Sequence, residues 1–241
     1  MTDNRDMAER LLDVAASRSR DETLPMINGV NFNVHDGDAT VAATDRFRLS
    51  TEHIKIDAPD GNHLVEGKDF EEAMRAMRGV EGDFKLTDNG DGTYTLTRGD
   101  VSRNLKGIPA EFPKVAPLMP RVTEETPRFT VNAPALRKVA LEAKRNSTRH
   151  GGLHFKPVDG KDAYRVSWTD KYGDVRTVDV PAKFSNDDSV DRPAFAVNQT
   201  YLADILGGVK GDVTVGNDAG HRPLRIITDG EEQPTRLLMP C

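Results

Sequence analysis

Apolar residues recur along this chain with two periods, and the changes of period mark its elements. Across residues 3–19, Met7, Leu11, Val14 and Ala15 fall at helical spacing, while Asp6, Arg10, Asp13 and Ser17 take the other side. That spacing predicts an amphipathic helix. After a polar loop the period becomes two: from Gly29, the residues Val30, Phe32 and Val34 alternate with polar neighbours, as in a half-buried strand. His35-Asp-Gly-Asp reads as a turn, residues 39–44 as the returning strand, and residues 48–56 as a third. A second helix is expected over residues 69–78, with Phe70, Met74 and Met77 inward and Gly79 closing it. Two strands flank Asp88-Asn-Gly-Asp-Gly, and residues 101–108 supply another.

Residues 111–127 contain four prolines and no clear period, which places a boundary between two domains, 1–120 and 121–241. The second half repeats the order of the first. Asn132 is a candidate N-cap, Pro134 sits in the first turn, and a helix is expected to about Ser147. Strands follow at 152–158, 163–170 and 174–183, then a shorter helix at 198–206 ended by Gly207-Gly208, then strands at 213–215, 224–227 and 236–239. Each half is read as helix, three strands, helix, three strands: an α+β chain with a repeat of pattern more than of letters.

Composition narrows the chemistry. The single cysteine, Cys241, excludes an intrachain disulfide and a Cys-based zinc site. No apolar run approaches the ~18 residues of a membrane span, and residues 1–6 lack the apolar stretch of a secretory signal. A cytoplasmic protein is therefore expected. No P-loop or dinucleotide fingerprint occurs. Asp88-Asn-Gly-Asp-Gly faintly resembles a calcium loop, but the carboxylate spacing of an EF-hand is missing and a hairpin turn is the better reading. His150 and His154 are separated by Gly151-Gly152, and the other histidines form no ligand pair at helical spacing. Asp45 is a lone acid with no evident partner. No catalytic residue, metal or cofactor is expected, which leaves a binding or scaffolding protein.

The net charge of −6 comes from 33 basic and 39 acidic residues, so placement matters more than total. On a wheel of the helix from Asn132, Arg137, Lys138, Lys144, Arg145 and Arg149 share one sector, while Leu136, Val139, Ala140 and Ala143 take the opposite one. Arg18 and Arg20 end the first helix, and Lys68, Arg75 and Arg78 belong to the second. Solvated faces favoured by helix dipoles would give the same pattern. A phosphate-tracking surface is the sharper reading. The helices lack interleaved aromatics, which favours a duplex backbone over a single strand.

Several segments then point one way. Leu24-Pro-Met-Ile-Asn-Gly-Val-Asn-Phe, followed by Val41-Ala-Ala-Thr-Asp-Arg-Phe-Arg-Leu-Ser, resembles the middle domain of bacterial DNA polymerase III beta clamps. Glu111-Phe-Pro-Lys-Val-Ala-Pro-Leu-Met-Pro is similar to that family's interdomain linker. Val197-Asn-Gln-Thr-Tyr-Leu-Ala-Asp-Ile-Leu and the terminal Leu237-Leu-Met-Pro resemble its last helix and tail. The four motifs occur in register over nearly the whole chain.

The resemblance implies a sliding clamp: a six-unit ring with helices lining the hole, so that two units per chain suggest a homotrimer. The implied partners are double-stranded DNA, a replicative polymerase and a clamp loader, and the compact two-domain form suggests a phage origin. It also implies a hydrophobic site for short peptides. By position that site takes Ile27, Thr44, Phe47, Arg48 and Leu49 from the first half, and Pro113 and Leu118 from the linker. The second half adds Asn198, Tyr201, Pro223, Leu237, Leu238, Met239 and Pro240. Ordinary core positions are the competing reading for Ile27, Leu237 and Leu238. Arg46 and Phe47 depart from the small or His-type residues common in the family, and the chain stops at Cys241, short of the usual ending. For DNA, Arg18, Arg20 and Lys68 match family positions, and Arg75 and the basic face through Arg149 fit the same role. A monomeric clamp-fold adaptor that binds replication proteins is the runner-up. A hydrolase using Asp45 is a more distant rival.

Overall fold

The computed structural model describes residues 5–115, 127–148, 151–185, 192–216, 222–228 and 235–241. They form two compact units, Asp3–Val115 and Ala116–Cys241. The boundary expected at residue 120 falls outside the described residues, and so do Leu118 and Arg149.

In the first unit, helix α1 (Met7–Ala15) buries Ala8, Leu11, Val14 and Ala15. It is shorter at both ends than expected, because Asp6 takes the N-cap position and the chain leaves the helix after Ala16. A single turn, α2 (Pro25–Asn28), occupies part of the stretch read as loop. Strand β1 (Gly29–His35) pairs antiparallel with β2 (Asp38–Thr44), with Val34 opposite Ala39. β2 pairs with β3 (Arg48–Asp57). On its other side β1 pairs with β4 (Gly61–Glu66), a strand the pattern does not predict because only Leu64 and Val65 in it are apolar. Val30, Phe32 and Val34 are buried together, as the alternation requires.

Helix α3 (Gly67–Ala76) begins two residues before its expected start. Phe70, Ala73, Met74 and Met77 are fully buried beneath it. Gly79 adopts φ +68°, a left-handed conformation suited to glycine, and turns the chain away. Strands β5 (Phe84–Asp88), β6 (Thr93–Arg98) and β7 (Val101–Lys106) form an antiparallel meander whose first strand lies parallel to β3. The Asp-rich segment between β5 and β6 is a turn: the Gly90 N–H donates to Asp88 Oδ1 at 2.8 Å, and Gly90 and Gly92 take φ +76° and +84°. Phe32 and Phe70 meet edge to face at 5.6 Å in the core. Burying each such ring contributes about 1.5–3 kcal/mol. One polar seam crosses this packing, where Arg10 forks onto Glu52 at 3.0 and 2.7 Å with Glu52 almost wholly enclosed.

The second unit opens with β8 (Arg128–Asn132) and α4 (Ala133–Asn146). Asn132 caps that helix as expected, its side chain accepting from the Ala135 N–H at 3.1 Å. Then come β9 (Gly152–Pro157), β10 (Ala163–Thr169), β11 (Val175–Pro181), β12 (Lys183–Phe184) and β13 (Phe195–Asn198). Helix α5 (Gln199–Ile205) precedes β14 (Asp212–Gly216), β15 (Leu224–Thr228) and β16 (Thr235–Leu238). One sheet runs β11-β10-β9-β13, and β12, β8, β14, β15 and β16 follow one another in a second. Phe155 and Phe195 stack at 4.6 Å, with Phe129 and Tyr164 around them. The two sets of three strands expected in each half are corrected by β4, β8, β12 and β13, each short or merged in sequence with a helix start.

Candidate DNA and peptide interfaces

Three arginines of the first unit gather around one carboxylate. Helix α1 ends at Ala15, so residues 17–19 turn inward: the Ser17 and Ser50 hydroxyls meet at 2.7 Å, and Arg18 is buried. Arg18 Nε donates to Glu71 Oε1 at 2.9 Å, and its Nη1 donates to the Ser19 and Asn28 carbonyls at 3.2 and 3.3 Å. Arg18 was expected among the DNA-facing residues. Its guanidinium is instead an internal strut. Arg20 and Arg75 are exposed and reach the same Glu71, Arg20 Nη1 at 3.0 Å from Oε1 and Arg75 Nη2 at 2.9 Å from Oε2. Burial alone would raise the Glu71 carboxyl. The Arg18 hydrogen bond and the charges of Arg20 and Arg18, with Arg75 adding a further bond, outweigh it and hold the group below the ordinary range. Lys68 stands exposed in the first turn of α3, and Arg78, expected on the same helix, is exposed in the turn that follows it because the helix ends at Ala76.

Glu71 was not among the expected site residues. Its position four before Arg75 was the available signal. Gly67 was missed as well, and no pattern announces it: a Cβ there would sit 2.1 Å from Arg18 Cδ.

The loop between β2 and β3 is pinned by its own side chains. Asp45 Oδ1 accepts from the Phe47 and Arg48 N–H groups, both at 3.0 Å, and its Oδ2 accepts from Arg48 Nε at 2.9 Å. Thr44 Oγ1 donates to the Arg48 carbonyl at 2.7 Å and accepts from the Arg46 N–H at 3.2 Å. Arg46 is forced to φ +80°. Asp45 is therefore a turn-former paired with Arg48, which corrects its reading as a lone acid. Of the expected peptide-contact residues here, Ile27, Thr44, Arg48 and Leu49 are buried, Phe47 is half exposed, and Pro113 is exposed.

On the second unit, α4 and the end of α5 bound a cleft of about 550 Å³ lined by Lys138, Arg145 and Lys210 together with Leu141 and Val209. Lys138 and Arg145 are exposed. Lys144 is exposed too and stands 3.6 Å from Asp204. Arg137, placed outward by the wheel, is half-buried because its Nε donates to the Ala203 carbonyl of α5 at 3.0 Å. Lys210, beyond the Gly207-Gly208 stop, was not anticipated. Asn198 spends its side-chain oxygen on the N–H groups of Thr200 and Tyr201, at 2.8 and 3.2 Å, as the cap of α5. Leu237 and Leu238 are buried, Leu238 within the main core, while Met239 is 37% exposed. Pro240 bridges to Val197, and Pro223 and Tyr201 are half-buried. Among the described residues one cluster could offer three metal-ligand atoms, His35, Asp36 and Asp60, and all three are exposed.

Residues 2–114 match the family described as DNA polymerase III beta subunit, central domain. The beta sliding clamp of Streptomyces coelicolor is 28% identical over 229 residues, covering 86% of this chain and 54% of that protein. The chain belongs to the DNA polymerase III beta-clamp family. The beta sliding clamp of Bacillus subtilis is 23% identical over 232 residues, covering 92% of this chain and 58% of its own. This beta-clamp chain thus spans about half the length of the curated relatives it matches. In solved structures the fold recurs in the DNA polymerase sliding clamp of Pseudomonas aeruginosa (TM-score 0.82, 16% identity, 97% of this chain and 64% of that one). It recurs also in the sliding clamp of Bacillus subtilis (TM-score 0.80, 18% identity, 97% and 62%). Over the matched lengths the α+β clamp fold is shared with these structures.

Proposed function

We propose that this chain is a DNA sliding clamp: a non-enzymatic, cytoplasmic processivity factor that closes into a ring around duplex DNA and carries replication proteins along it. The observation that supports this best is the exposed cationic character of helices in both units of a clamp fold, Lys68 and Arg75 on α3, with Arg78 just beyond its end, and Lys138, Lys144 and Arg145 on α4. Such cations bind phosphates without reading sequence, each contact weak and salt-sensitive. Topological linkage then supplies the residence time that the contacts lack, because a dissociating protein rebinds the strand it still encloses. The whole chain carries a net charge of −6, so the surface away from these cations is more acidic still and disfavours DNA.

With two units in each 241-residue copy, six units need three copies, and we propose a homotrimer. The peptide partners would be segments of a polymerase and of a clamp loader, and the exposed apolar residues available to meet them are Met239, beside Tyr201 and Pro240, on the second unit and, taken by itself, Phe47 on the first. Apolar anchors beside a few fixed polar groups suit short linear peptides. No metal or nucleotide has a role in this reading.

The test is mass in solution by light scattering at micromolar concentration. A species three times the chain mass is expected. A stable single chain would favour the monomeric adaptor, which would still bind replication peptides without enclosing DNA.

A further inference from the structure

The Glu71 cluster suggests how part of the proposed DNA surface is organised. Two exposed arginines from different segments, Arg20 after α1 and Arg75 on α3, are drawn to opposite oxygens of one carboxylate, at 3.0 and 2.9 Å. That carboxylate is itself held from beneath by Arg18, whose side chain passes so close to Gly67 that no Cβ could be added there without displacing it. The Arg18 guanidinium is locked in turn onto two backbone carbonyls. Each surface guanidinium has five N–H donors, and the link to Glu71 leaves most of them facing out. The local charge is +3 from arginine against −1 from Glu71, so the cluster remains attractive to an anion.

We infer that Glu71 is a positioning residue: the buried Arg18–Glu71 pair fixes Arg20 and Arg75 as an oriented fork for phosphate oxygens of the DNA backbone. The inference rests on the clamp reading proposed above. Freely rotating arginines lose side-chain entropy when they grip a phosphate, and tethered ones have lost much of it already. Guanidinium forks match phosphate geometry in a way a lysine ammonium cannot.

A double-mutant cycle on the full chain separates positioning from charge. The readout is affinity for a short duplex by fluorescence anisotropy across a salt series. Arg20→Lys with Arg75→Lys keeps both charges, so the slope of affinity against salt should stay constant. With Glu71 present, the paired lysine substitution is expected to weaken binding about threefold to tenfold, the range set by ordering one or two side chains. In a Glu71→Gln background the same substitution should cost clearly less, because only the intrinsic difference between guanidinium and ammonium is left. An equal loss in both backgrounds overturns the positioning role, and so does tighter binding by Glu71→Gln alone that the lysine pair leaves unchanged. If Glu71→Gln lowers stability too far, Glu71→Asp retains the charge, shortens the reach and takes its place in the cycle under the same criteria. Arg20→Ala with Arg75→Ala should reduce the salt slope by roughly two contacts. An unchanged slope would mean that this corner does not meet DNA, overturning the inference while leaving ring formation to the independent mass measurement.

Discussion

Arg18 shows how far a single residue's surroundings can depart from its sequence context. Helical periodicity could be continued through Ser17 and Ser19, and on that continuation Arg18 faces solvent. The helix stops at Ala15, and the following residues turn toward Ser50 and Glu71. Nothing in the local pattern carries that information, because Glu71 lies 53 positions away. The consequence is measurable in acid. Glu71 titrates below its ordinary value of about 4.5, so its contribution is fully present above that value and is lost as pH falls through the lower folded one. Thermal melts of wild type and Glu71→Gln should therefore differ most above the ordinary carboxylate range and converge as the pH falls through the lowered folded value. A gap that persists unchanged in acid would assign the stability to packing. Gly67→Ala should cost about 1–3 kcal/mol through the clash with Arg18, read as a lowered denaturant midpoint. A neutral Gly67→Ala would show that the Arg18 strut yields easily.

The elements were legible where their period was long and clean. Helix α4, with Asn132 as cap and Leu136, Ala140 and Ala143 on its buried face, follows directly from spacing. So do β1 and β2, whose alternation fixes both register and inward face. Strand β4 was illegible because half its residues are Gly, Asn and His. Strand β13 was illegible because its four residues run without a break into the cap of α5. The caps themselves can be tested: Asn132→Ala is expected to destabilise the second unit by about 1 kcal/mol, by loss of the bond to the Ala135 N–H. At the end of the chain, burial separates two neighbours that the family resemblance treats alike. Leu238 is wholly buried in the core, so Leu238→Ala should cost about 2–5 kcal/mol of stability. Exposed Met239→Ala should leave the melting temperature in place while weakening capture of a polymerase peptide. Unaltered peptide affinity in that variant would remove Met239 from the proposed contact set.

For the whole molecule, two units were expected from the repeated order of elements, and the wheel of α4 picked out the exposed Lys138, Lys144 and Arg145 but misplaced Arg137. The Glu71 hub and the placement of Lys210 beside α4 needed coordinates, since both depend on chain segments brought together by folding. Enclosure of DNA makes one demand that no surface-binding protein meets: retention must depend on the continuity of the DNA rather than on salt. After loading onto nicked circular DNA, the chain should remain bound in salt high enough to abolish phosphate contacts, and it should be released when the circle is cut once. Release from the intact circle at that salt, or retention after linearisation, would contradict the ring.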